Sequence, residues 1–200
     1  HQVSIIDLNN DLIKNLNENI VPFYEPELEN NLNDLKVSNN LHFSTNYQKS
    51  IDENTDIVFV CVQTPTDPDS GKIKIEHIAS ALTELKKLES FNFIICIKST
   101  IKGSLVEKIT NEIDLDYKKI IFNPEFLREG SAFYDFFNPD RIVIGGSDQK
   151  GIDRCLELYE QFDCEKIITD SNSSQMIKYL SNTYLACLLY TSDAADEERG

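Results

Sequence analysis

"KKIIFNPEFLREGSAFYDFFNPDRIVIGG", residues 118–146, holds two short apolar runs, Ile120-Ile121-Phe122 and Ile142-Val143-Ile144. Both read as buried strands. The first stops at Asn123-Pro124, Glu125 follows at once, and Glu129 lies one helical turn further on, with Arg128 between them. Two carboxylates and a cation just past a core strand need an explanation, and the rest of the chain supplies it.

Strand-like runs recur at 3–6, 41–44, 57–62, 91–97, 120–122, 142–144 and 167–169. Several are continuous and rich in β-branched residues, as expected of strands covered on both faces. Helical patterns alternate with them. Ile75, Ile78, Ala79, Leu82 and Leu85 fall on one stripe, Leu105, Val106 and Ile109 on a second, and Leu156, Tyr159 and Phe162 on a third. Such alternation predicts an α/β fold with a doubly wound parallel sheet and helices on both faces. The Asn-rich patches, Asn30-Asn31 and Asn39-Asn40, read as loops and helix ends.

Polar punctuation falls at the carboxyl ends of these runs: Asp7, then Gln63-Thr64-Pro65, then Lys98-Ser99-Thr100, then Asn123-Pro124-Glu125. In a doubly wound sheet those ends open onto one crevice, where ligands bind. Each residue also has a plainer reading. Asp7 could cap a helix, the Thr64–Pro68 turn could simply join strand to helix, and Ser99-Thr100 could be a cap before Lys102-Gly103-Ser104. Glu125 and Glu129 could be first-turn carboxylates favoured by a helix dipole. A carboxylate at the mouth of a parallel sheet, beside Phe126 and Leu127, is equally placed to act as a general base. In "SSQMIKYLSNTYLA", residues 173–186, Met176, Ile177, Leu180 and Tyr184 form an apolar stripe, while Lys178 and Asn182 share another face. That second face matters chemically only if it closes over the crevice.

Composition narrows the field. Two hundred residues with 40% hydrophobic content can bury one substantial core. A net charge of −15 argues against nucleic acid, because no basic stripe exists to neutralise phosphates. Five cysteines at unpaired spacings suggest neither a disulfide framework nor a metal site, so a reducing cytoplasm is expected. Cys61 and Cys96 lie in apolar runs and read as small buried hydrophobes. No run is long enough to span a bilayer, and "HQVSIIDLNN" is not a signal peptide. A start on His1, almost on top of a strand, reads as a piece of something longer.

Order and spacing carry a resemblance. "VSIIDLN", "VPFYEPEL", "VFVCVQTPT", "IKSTI", "NPEFLREGSAFYDFFNPDRIVIGG" and "SSQMIKYLSNTYLA" resemble the UDP-glucose 6-dehydrogenase family of nucleotide-sugar dehydrogenases, from residue 1 to about Ala186. The resemblance implies a Rossmann-like NAD-binding domain over 1–170, lacking its first strand and glycine loop. It also implies that 171–186 begin the central helix through which such enzymes commonly form homodimers or higher oligomers. Residues 187–200, including "CLLYTSDAADE", resemble a translated sequencing adapter and leave the family pattern. The implied chemistry is oxidation of the C6 alcohol of UDP-glucose to UDP-glucuronate for polysaccharide synthesis, using two NAD and a cysteine thioester. Asp7 would then hold the adenosine ribose, and Thr64, Pro65, Ser99 and Thr100 would line the dinucleotide site. Thr100 would also stand near the reacting centre and its water. Glu125 would be the hydrolytic base; Phe126, Leu127 and Arg128 would run along the sugar nucleotide; Glu129 would sit near the cofactor–substrate junction. Lys178 and Asn182 would steady the oxyanion. None of the five cysteines has the nucleophile's context, so none is assigned. Glu27 and Gln63 depart from the family's small residues. Sibling dehydrogenases of UDP-N-acetylmannosamine or GDP-mannose, and a non-catalytic nucleotide-binding module, are the alternatives.

Overall fold

The computed structural model describes residues 1–197. Seven strands, β1 (Val3–Ile6), β2 (Leu41–Ser44), β3 (Ile57–Val60), β4 (Ile94–Ile97), β5 (Ile120–Phe122), β6 (Arg141–Gly145) and β7 (Glu165–Thr169), alternate with helices. The helices are α1 (Asn10–Asn17), α2 (Leu28–Val37), α3 (Tyr47–Ser50), α4 (Glu76–Lys86), α5 (Gly103–Glu112), α6 (Ala132–Phe137), α7 (Gln149–Leu158) and α8 (Ser171–Glu197). This is the expected α/β architecture, with its strands in two sheets. β1 pairs with β2, and β3-β4-β5-β6-β7 form a second sheet.

All pairings are parallel except one: β5 and β6 run antiparallel, joined by Phe122↔Gly145. A wholly parallel sheet is therefore not what forms, because the 123–140 connection returns the chain without a crossover. The reversal places the start of β6 at the same end of the sheet as the chain leaving β5.

Alternation along the strands divides the core between two faces. Val60, Ile95, Ile97, Ile120 and Phe122 meet Ile78, Leu82 and Leu85 of α4 and Val106 and Ile109 of α5. Cys96, Ile121, Ile142 and Ile144 meet Ile152 and Cys155 of α7, with Tyr159 and Phe162 just beyond it. Each fully buried Leu or Ile contributes about 1.5–3 kcal/mol, so the helical stripes anticipated for these segments are what hold the sheet. Gly145 matters here, because a Cβ at that position would collide with Ser174 and with the Asp170 carbonyl 2.8 Å away. Its lack of a side chain lets α8 lie against β6.

Several local expectations are corrected. β3 and β4 are shorter than the apolar runs suggest; the chain before β4 closes a 3-10 turn at Glu89–Phe91. Asn30 and Asn31 lie inside α2. The Thr64–Pro68 turn opens a small hairpin, with Thr66 bridged to Ile73 and Lys74 N–H donating to Pro65 O at 2.8 Å. Ser99 and Thr100 cap nothing, since α5 starts after Lys102 without a side-chain cap. Cys61 lies past the end of β3 and is exposed, whereas Cys96 is fully buried. Apart from these corrections, α8 runs on through residues 187–197, and the last three residues of the expected tail lie outside the described ones.

Candidate active site

Past β5 the chain does not enter a helix. Asn123 N–H donates to Ile97 O at 2.9 Å, continuing the ladder by one residue. Pro124 then offers no donor, and residues 123–131 run as loop and turn until α6 begins at Ala132. Glu125 and Glu129 are therefore not successive positions of one helix, and the dipole explanation falls away. Glu125 instead bends back on its own loop, its Oε2 accepting from Leu127 N–H at 2.7 Å.

Glu125 Oε1 lies 3.0 Å from Lys178 Nζ. Lys178 is only 5% exposed, on the face of α8 turned toward the sheet. This is the face that closes over the strand ends, and Lys178 with its neighbours Ser174 and Gln175 forms a buried polar strip there. Asp170 starts the helix: its Oδ1 accepts from the Asn172 and Ser173 amides at 2.9 and 3.0 Å. Phe126 has two cations over its ring, with the Arg141 guanidinium 4.5 Å and Lys178 Nζ 5.3 Å from the ring centre. Arg141 also donates to Ser181 Oγ of α8 at 3.0 Å. It reaches this end of the sheet only because β6 runs antiparallel to β5.

The other strand ends meet through their hydroxyls. Thr64 Oγ1 donates to Thr100 O at 2.9 Å, tying the end of β3 to that of β4. Ser99 Oγ donates to Val62 O at 2.6 Å and is buried. Asp7, at the end of β1, is half-buried, and its Oδ1 accepts from Asn9 N–H at 2.8 Å. Pro65 is exposed on the hairpin.

Four expected residues of the loop and of α8 are not drawn inward. Leu127 is 38% exposed. Arg128 is exposed and its guanidinium is fastened to Asp135, with Nε–Oδ2 at 3.0 Å and Nη2–Oδ1 at 2.6 Å. Glu129 is exposed. Asn182, one turn beyond Lys178, is exposed as well. The apolar stripe of α8 also faces outward, with Met176 50%, Leu180 62% and Tyr184 65% exposed. A cavity of about 290 Å³ lies elsewhere, between the Glu25–Glu27 segment and Gly130–Asn138, and is lined by neither Thr64 nor Glu125. Along it, Glu25 accepts from the Gly130 and Phe133 amides at 3.1 and 3.2 Å, so the EPEL segment caps α6 from a distance of more than a hundred residues in sequence. Glu25 and Arg141 were missed by sequence reading. Their signal was an acid and a base inside apolar motifs, with nothing to say which loop each would meet.

The family described as UDP-glucose/GDP-mannose dehydrogenase, NAD binding domain, matches residues 1–163. The chain belongs to this family. A UDP-glucose 6-dehydrogenase of Bacillus subtilis is 36% identical to it over 194 residues, covering 93% of the chain and 43% of that relative. A UDP-glucose 6-dehydrogenase of Glycine max is 34% identical over 92% of the chain and 41% of its own length. Among solved structures, a GDP-mannose dehydrogenase of Pseudomonas aeruginosa superimposes with a TM-score of 0.89 at 25% identity, covering 96% of the chain and 46% of that protein. A UDP-glucose dehydrogenase of Pyrobaculum islandicum does so at 0.83 and 31% identity, covering 93% and 44%. The chain thus spans less than half the length of the relatives it matches.

The matched region is the family's NAD-binding domain. The donor set suits a dinucleotide: a half-buried carboxylate at one strand end and hydroxyls at two others. Among the described residues no helix is long and apolar enough to cross a membrane, and no cluster of His, Cys, Asp and Glu could hold a metal ion.

Proposed function

We propose that the chain contributes the cofactor side of an enzyme that oxidises UDP-glucose to UDP-glucuronate with NAD. The observation that carries this reading is the 3.0 Å pairing of Glu125 with Lys178, a base and a cation set side by side at the carboxyl ends of β4 and β5. Their roles are complementary. The Glu125 carboxylate can take a proton from water, and the Lys178 ammonium beside it balances its charge. The same ammonium stabilises negative charge as it develops on a C6 oxygen. NAD, when bound, accepts hydride. Asp7 would hold its ribose, and Thr64, Pro65, Ser99 and Thr100 would line the rest of its cleft. Thr100, whose carbonyl accepts from Thr64, would use its hydroxyl to orient water.

Phe126 and Leu127 would border the sugar nucleotide. Arg128, held by Asp135, would serve by shaping the 125–131 loop, and Asn182 would reach an oxyanion from the exposed side of α8. Glu129 would meet the cofactor–substrate junction from outside. The thioester-forming cysteine would come from a part of the enzyme beyond these residues. The outward apolar stripe on α8 supports a homodimer or higher oligomer, because such a face is stable only when covered.

The second reading is a sibling substrate, GDP-mannose or UDP-N-acetylmannosamine, favoured by the 0.89 superposition on a GDP-mannose dehydrogenase. Supplying the complete gene product with NAD and each of the three nucleotide sugars decides between them. NADH from UDP-glucose supports the first reading; NADH from a sibling sugar alone replaces it.

A further inference from the structure

We propose that Lys98 is a positioning residue for Glu125, acting through Asn123; the claim rests on the reading of Glu125 as a base. Lys98 follows β4 and, by strand alternation, lies on the same side as Cys96, facing α7. Its ammonium donates to Asn123 Oδ1 at 3.0 Å, to Asn123 O at 3.3 Å and to Tyr159 OH at 3.5 Å. It sits 5.9 Å and 6.0 Å from the ring centres of Phe59 and Tyr159. Every one of these partners is neutral. Among the described residues no carboxylate comes within ion-pair distance of it. A partly buried cation solvated only by dipoles is costly to keep, and burial accordingly pulls its pKa down.

The network it anchors ends at Glu125. Tyr159 OH donates to Asn123 Oδ1 at 2.6 Å, and Asn123 Nδ2 donates to Val143 O of β6 at 2.9 Å. With its own N–H bonded to Ile97 O, Asn123 is fixed on β4, β6 and the end of α7 at once. Pro124 then has a restricted φ, so the orientation of Glu125 is set by how firmly Asn123 is held. The Glu125 carboxylate in turn offsets part of the cost of burying the Lys98 charge. The charged groups around Glu125 are Lys178 of α8, Lys98 just past β4, Arg128 and Glu129 in its own loop, and Arg141 of β6 across Phe126; Arg128 is neutralised by Asp135 of α6. Cys61, Cys96 and Cys155 are the titratable groups beside Lys98 itself.

Amide hydrogen exchange in the 200-residue chain, read at Leu127 and compared with the buried Ile121 amide of β5, tests this without substrate or cofactor. Lys98→Met should quicken exchange of the Leu127 amide proton that Glu125 accepts by about fivefold or more while Ile121 stays slow, because Asn123 loses its anchor and the Glu125 carboxylate its fixed position. Lys98→Gln, which keeps a donor for Asn123 and is the safer variant for folding, should leave Leu127 exchange slow, and so should Lys98→Arg. A merely structural lysine would quicken Leu127 and Ile121 together as the melting temperature falls, and that result, or unchanged exchange at Leu127 in Lys98→Met, overturns the proposal. Should Leu127 exchange respond as expected while no nucleotide sugar yields NADH, the dehydrogenase reading fails and the link between Lys98 and Glu125 stands.

Discussion

Glu125 and Lys178 exemplify how a residue's meaning depends on burial. Lys178 is nearly enclosed, so its ammonium relies on the Glu125 carboxylate. Glu125→Leu leaves that cation unpaired and should cost about 1–2 kcal/mol, below the range for a fully buried pair because Glu125 is partly solvated. Urea denaturation reads this, and an unchanged midpoint would mean that the ammonium finds other partners. A second prediction concerns Glu27, whose φ of 67° lies in the left-handed region. Glu27→Gly should stabilise the chain by about 1 kcal/mol by relieving that strain. Thermal melting checks the sign. The sequence raised a doubt about Glu27 only through the family resemblance, since a positive φ is invisible in residue types. The partner of Arg128 was equally illegible: two carboxylates, Glu125 and Glu129, lie within three residues of it, and only the fold reveals that it pairs with Asp135.

Among the elements, those legible in advance were the ones whose pattern matched their period. α4 and α5 bury the stripes that the spacing indicated, and the β3, β4 and β5 runs are strands, the first two with shorter ends. α6 and the non-helical 123–131 loop were not legible, because what decides them is tertiary. Glu25 caps α6 across the fold, and Asn123 is held by three separate elements. Glu25→Ala should therefore release the Gly130 and Phe133 amides, accelerating their hydrogen exchange and costing about 1 kcal/mol. Slow exchange at both amides would assign the cap elsewhere. α8 likewise misled the stripe argument. Its apolar residues face outward, and a polar strip packs inward because Ser174 fits against Gly145 and Lys178 reaches Glu125. Gly145→Ala should push α8 off β6 and cost about 1–3 kcal/mol, the usual penalty of overpacking.

For the whole molecule, pH and assembly follow from the charge distribution. Asp135, Asp67 and Asp170 all have carboxyls held below their ordinary pKa. The causes are the Arg128 side chain for Asp135, the Ser70 backbone amide for Asp67 and the Ser173 hydroxyl for Asp170. A lowered folded pKa means that the unfolded chain binds protons first as pH falls. These groups therefore support the fold fully above about pH 4 and lose that support as pH drops through their folded values. Melting temperatures should fall with acid, and Asp135→Asn should flatten that slope. Doubly wound topology was readable from alternating strands and helices, but the antiparallel β5–β6 step was not, since a short connection with one small helix leaves the direction of the next strand open. That step carries Arg141 to the site.

In the proposed function, Glu125 and Lys178 work together at the strand ends as base and oxyanion partner. The most direct measurement is NADH formed per UDP-glucose by the complete gene product, with and without Glu125→Gln. Two NADH per sugar nucleotide, falling about 10²-fold or more in rate in the variant, is the predicted result. Undiminished turnover in Glu125→Gln, or no NADH from UDP-glucose at all, contradicts it.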